Sequence, residues 1–176
     1  FKHPQDYMKF NFNSTKLADI HVPIRIGGDA ALFQTINNIM IGKKNLDQNF
    51  IDKNTSGFSQ YVASLDPVNW VKICHDTGLD REFIEKIADI CAKSKSIISC
   101  WAMGLTQHKN GVGVIQEVVN LHLLGGHIGR KGAGLCPVRG HSNVQGNRTV
   151  GIWEAPDDSF TDRMELGLKH TLPVSY

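Results

Sequence analysis

The segment from Gly125 to Gly151, GGHIGRKGAGLCPVRGHSNVQGNRTVG, constrains this chain more than any other. It holds eight of the 17 glycines, with three arginines, one lysine, two histidines, two asparagines and a glutamine. Glycine weakens helix and strand interiors alike, so the composition predicts a long irregular segment. Loops of this length are usually functional. Two readings fit the residues alone. One is a cofactor cradle, in which glycines allow close approach while amides and cations bind a large polar ligand; the other is a mobile surface loop.

At 176 residues the chain is long enough for one domain with a core, and its 41% hydrophobic content excludes disorder. The net charge of +2 is too small to imply a nucleic-acid partner, but the basic residues between His127 and Arg148 favour an anionic small ligand. Cys74, Cys91, Cys100 and Cys136 stand 17, 9 and 36 residues apart, which matches neither a metal clip nor a compact disulfide framework. Reduced, mostly buried thiols in a cytoplasmic protein are expected. No apolar run approaches the length of about 18 residues that a membrane span needs.

Along the chain, residues 1–18 read as an irregular lead-in. Asp19 to Ile26, DIHVPIRI, alternates apolar and polar residues and predicts a strand, although Pro23 cannot donate to a ladder. Gly27, Gly28 and Asp29 then open a helix that Gly42 stops, with Asp29 read either as its N-cap or as a carboxylate for a sugar or base. Short helices are expected over 46–76, one starting at Asp66-Pro67. Asp80 should cap a helix carrying Phe83, Ile84, Ile87, Ala88 and Cys91, with Leu79 and Ile84 as a staple. Ser96 to Trp101, SIISCW, predicts a buried parallel strand, followed by a polar turn at 103–108 and a largely buried helix over 111–124. Two strand-turn-helix junctions imply an α/β fold with ligands beyond the strand ends, so Gly27 to Asp29 and Met103 to His108 could line one crevice. Past Gly151 an acidic tail with Trp153 and Pro156 leads to a weak helix near 160–168.

Three motifs stand in order: WAMGLTQH at 101–108, NLHLLGGHIGRKGAGLCPVRG at 120–140 and NVQG at 143–146. With them the chain resembles the molybdopterin oxidoreductases of the DMSO reductase superfamily, in the branch typified by formate dehydrogenase alpha subunits. The resemblance covers roughly residues 19–155 and implies a Rossmann-like half-domain with parallel strands. Residues 1–141 would be the second half of a molybdopterin guanine dinucleotide-binding domain, and 142–176 the start of a return into a neighbouring α/β domain. Such enzymes are several times larger, so the chain is expected to be an internal fragment. The implied cofactor is molybdenum (or tungsten) bis(molybdopterin guanine dinucleotide), with a 4Fe-4S cluster only in the N-terminal part of the full-length protein.

By that resemblance Asp29 matches an aspartate that pairs with a guanine edge, with Gly27 and Gly28 admitting the base or ribose. Met103, Gly104 and Gln107 match a turn that contacts a pterin. Arg139 matches an arginine beside the metal that holds a small anion such as formate, and Gly140 and His141 continue that cofactor contact, with Arg139 and His141 as the catalytic candidates. The chain has Ile-Gly-Gly-Asp where the family commonly has Pro-Gly-Thr-Asp, and His141 where formate dehydrogenases usually have glutamine. No metal ligand is nominated among these residues, and the electron-transfer partner is left open. The expected function is therefore a molybdenum-dependent, formate dehydrogenase-like oxidoreductase as the full-length protein; the isolated segment would be inactive. The other functions weighed are a non-catalytic nucleotide-binding α/β module and an interaction domain whose loops only pack.

Overall fold

Side chains that accept from free amides set four of the helix starts. Asp47, Asn69, Asp80 and Asp157 each accept from the backbone N–H three residues on, at 3.0, 3.1, 2.7 and 2.7 Å. In the computed structural model, which describes Met8, residues 17–152 and residues 157–172, the elements are α1 (Asp29–Gly42), α2 (Gln48–Asn54), α3 (Phe58–Ser64), α4 (Trp70–Thr77), α5 (Arg81–Lys93), β1 (Ile98–Trp101), α6 (Met103–Thr106), α7 (Gly111–Leu124), β2 (Gly134–Pro137), α8 (Val144–Thr149) and α9 (Asp158–Leu168). The chain divides into two compact units, Phe1–Val138 and Arg139–Tyr176. Most of the lead-in, and Trp153 and Pro156 of the tail, lie outside the described residues.

In the first unit α1 is the central element, packed against α4, α5 and α7. Leu32, Ile36 and Met40 of α1, Ile84 and Ala88 of α5, and Leu121 and Leu124 of α7 are buried together with Ile51 and Leu79. Each large apolar side chain so buried contributes about 1.5–3 kcal/mol. The core therefore lies among helices, with the sheet at its margin. Asn37 in mid-α1 bonds Glu117 in mid-α7, and the N–H of Asp47, just past α1, donates to Leu124 O at the end of α7. The two helices thus run the same way, and their N-termini lie at one end.

The sheet is small: β1 pairs with β2 in parallel, Ile98 with Gly134 through Trp101 with Pro137. This gives a mixed α/β arrangement, with α6 and α7 forming the crossover that parallel neighbours require. SIISCW is a parallel strand as expected, but Ile98 is 59% exposed, so one face is bare.

Several other expectations need correction. DIHVPIRI forms no strand. Pro23 has no N–H, the Ile24 N–H donates back to Val22 O, and the Arg25 N–H donates to Thr77 O at the end of α4, which leaves no ladder. Val22 and Ile24 pack on the core while Ile26 is exposed. Asp29 is not the cap of α1: Gly28 holds that position, and Asp29 lies in the first turn, where its charge suits the helix dipole. Nor does Asp66-Pro67 start a helix, because Asn69 caps α4 three residues later. The glycine-rich segment is less irregular than its composition implies, since it contains β2 and α8. Cys100 and Cys136 are exposed, against the expectation of mostly buried thiols; both lie on the small sheet, away from the helical core.

The second unit consists of α8, which follows Asn143 in a left-handed conformation (φ 56°), and α9, capped by Asp157. Their neighbours in sequence stay close for local reasons: the Asn147 N–H donates to Asn143 O, and Asn143 Nδ2 to Asn147 Oδ1.

Candidate functional site

The approach to Asp29 is a tight turn in which the Gly28 N–H donates to Arg25 O at 2.9 Å. Its third residue, Gly27, has φ 84°, a conformation open to glycine at little cost, and the space where a Cβ would stand is empty. Gly28 is constrained differently. A Cβ there would meet Asp76 O at 2.8 Å and Thr77 Cα at 3.0 Å, so the turn lies directly on the end of α4. Asp29 is half-buried beyond it, and its carboxylate makes no hydrogen bond or ion pair among the described residues.

At the carboxyl end of β1 the chain turns through Ala102 into α6. Met103, Gly104 and Gln107 are exposed, a Cβ on Gly104 would meet nothing, and Gln107 Nε2 lies 3.5 Å from Met103 Sδ. The expected polar turn is thus a single helical turn ending in an amide side chain. It feeds α7 through Gly111, where a Cβ would stand 2.8 Å from Thr106 O. Because α1 and α7 run the same way, the turn at Gly27 to Asp29 and the turn at Met103 to Gln107 lie at the same end of that helix pair. Among the described residues, none of the best-formed clefts of this unit is lined by these residues. In the second unit, Arg139, Gly140 and His141 are exposed and precede α8. Among the described residues no cluster of three or more His, Cys, Asp or Glu is placed to hold a metal ion.

A buried histidine network, to which sequence reasoning assigned no role, supports the β1 turn. His122 Nδ1 lies 3.3 Å from His127 O, a carbonyl that can only accept, so Nδ1 carries the proton and Nε2 accepts from Ser99 Oγ of β1 at 2.7 Å. His127 Nδ1 in turn accepts from Arg130 Nη2 at 2.7 Å, and the same guanidinium nitrogen donates to Lys95 O at 2.6 Å. Burial lowers the pKa of both rings; Arg130 and His122 lower that of His127 further, against the opposing pull of Asp47. His127 fits only because residue 125 is glycine, where a Cβ would stand 2.4 Å from Nε2. The signal was present in the spacing: His122 follows Val118 by four residues, which puts it on the buried face of α7.

A second network joins α1, α3 and α7. Tyr61 Oη donates to Glu117 Oε2 at 2.6 Å, and Asn37 Nδ2 donates to both of those oxygens and to Glu117 O, each at 3.0 Å. Burial and then the Glu117 carboxylate push the Tyr61 phenol up, and Asn37 Oδ1 is left buried without a partner among the described residues.

Over 182 residues and its whole length, the chain is 38% identical to an uncharacterized oxidoreductase of Mycobacterium tuberculosis, of which it covers 23%. It is 39% identical over 175 residues to the protein YdeP of Escherichia coli, with 93% of this chain and 23% of that protein matched. The chain thus spans about a quarter of the length of these curated relatives. Among solved structures, acetylene hydratase from Pelobacter acetylenicus matches with a TM-score of 0.59 and 28% identity, over 65% of this chain and 16% of that one. The family model described as molybdopterin oxidoreductase matches residues 7–168. A match of that extent, on a scaffold that also superposes on one part of a far larger enzyme, means that the chain belongs to the molybdopterin oxidoreductase family.

Proposed function

We propose that this chain supplies part of the binding surface for molybdenum bis(molybdopterin guanine dinucleotide) in a longer, formate dehydrogenase-like oxidoreductase. The observation that carries the reading is the Asp29 carboxylate, half-buried and without a partner among the described residues, two positions after Gly27, where a Cβ would meet no described residue. A carboxylate only accepts, and a guanine edge offers adjacent N–H donors, so the two are complementary. Gly27 admits the base or its ribose while Gly28 lets the turn seat on the end of α4, and Gly104, Met103 and Gln107 contact a pterin with an open backbone surface and an amide that both donates and accepts.

Bound there, the metal and its pterins supply the redox chemistry, while the protein supplies position and electrostatics. Arg139 is assigned to the metal end of the site. Its permanently charged guanidinium forks onto a small carboxylate such as formate and stabilises negative charge where water is excluded. Gly140 and His141 complete that contact, and His141 in place of glutamine brings a group that titrates near neutral pH. In this reading residues 1–141 belong to the dinucleotide-binding domain and 142–176 return toward a neighbouring one. The iron-sulfur cluster and the metal ligand belong to other parts of a cytoplasmic protein. No helix among the described residues is long and apolar enough to cross a membrane.

The test uses the full-length protein. Asp29→Ala should lower molybdenum and guanine nucleotide content together, measured by elemental analysis and by chromatography after acid release. Arg139→Ala should lose formate oxidation while keeping its metal. Full cofactor content in the first variant would remove the guanine assignment, and normal turnover in the second would remove the anion role.

A further inference from the structure

Cys100 of β1 and Cys136 of β2 are in-register partners on adjacent parallel strands, each one residue before its strand ends. Ser99 points to His122 on α7, and side chains alternate along a strand, so Cys100 points to the opposite, bare face of the sheet. Both thiols are free and exposed, whereas Cys74 and Cys91 are half-buried on helices. Partial desolvation and then the neighbouring Cys136 push the Cys100 thiol's pKa up.

We propose that Cys100 and Cys136 form a redox-active dithiol, a modification site that closes to a disulfide by exchange with a low-molecular-weight disulfide such as oxidised glutathione. One cysteine, as thiolate, attacks the external disulfide; a protein–glutathione S–S bond forms, the glutathione S–S bond breaks, and one glutathione leaves and takes up a proton. The second cysteine, deprotonated, attacks the protein sulfur of that mixed disulfide and expels the other glutathione. The protein loses two protons and two electrons, and the external disulfide is reduced to two thiols. Neighbouring strands lie about 4.8 Å apart, inside the Cα span of about 4.4–6.8 Å that disulfides accept. Closure also needs the Cβ atoms within about 3.5–4.5 Å of one another, and thiols such as dithiothreitol reopen the bond by the reverse exchange. The link would pin β1 to β2 across the crossover containing α6 and α7, and it does not depend on the cofactor reading above.

The experiment treats the full-length protein with oxidised glutathione, alkylates the remaining thiols and maps peptides by mass. The expected product is a linked peptide pair containing Cys100 and Cys136, two hydrogens lighter than the separate peptides and released by dithiothreitol. Cys100→Ser should instead leave Cys136 carrying glutathione, and Cys74→Ser should leave the link intact. Alkylation of both cysteines after oxidation, stable glutathione on each, or linkage of either to Cys74 or Cys91 would overturn the proposal.

Discussion

Replacing Ser99 by alanine deletes one hydroxyl and strands a buried ring nitrogen. Ser99 donates to His122 Nε2 at 2.7 Å, and His122 has 0% exposure, so the ring nitrogen loses its protein donor at a buried position. A buried acceptor left without its donor costs about 1–3 kcal/mol. For a chain of this size with a urea slope of about 2 kcal/mol/M, the unfolding midpoint should fall by about 0.5–1.5 M at an unchanged slope. Ser99→Thr keeps the hydroxyl, and its branched Cβ suits a strand, so it should stay within about 0.5 kcal/mol of the original. Urea titrations followed by far-ultraviolet circular dichroism on the three proteins measure the difference. A fall of less than about 0.3 M in Ser99→Ala, or equal falls in both variants, would refute the claim that this bond anchors β1 to α7.

Acidification should act through the same network. His122 and His127 are held below the ordinary histidine pKa, so as pH drops the unfolded chain takes up protons first, near pH about 6.5, and the folded state resists. Their contribution is therefore full above about pH 6.5 and declines as pH falls from there toward the folded values. Urea midpoints should be lower at about pH 5.5 than at about pH 7.5, and His127→Gln, which keeps an acceptor for Arg130, should show a smaller drop; an unchanged or larger drop would refute the assignment. Gly28→Ala should cost about 1–3 kcal/mol, because its Cβ meets backbone atoms of Asp76 and Thr77 that cannot move aside. Gly42→Ala, with nothing within 4 Å and a helical position, should be neutral or stabilising by up to about 1 kcal/mol, and a thermal melt of the two variants separates these outcomes.

Features that depend on near neighbours in the chain were legible in the residues. The Asp80 cap, the apolar stripe of α5, the stop at Gly42 and the parallel strand at Ile98–Trp101 all follow from spacing and from amides that one nearby side chain can satisfy. The family was legible too, because three motifs in fixed order constrain identity more tightly than composition does. What failed was local inference where a distant group decides. Alternation in DIHVPIRI gives a strand only if a ladder is within reach, and its N–H groups instead find Val22 O and Thr77 O. Tertiary structure alone brought Ser99 to His122 across 23 positions and Tyr61 to Glu117 across 56, and set Cys100 beside Cys136. The first two pairings arise because buried polar groups mostly find partners wherever packing puts them, the third because two strands share a register, and packing depends on the whole set of helices surrounding α1.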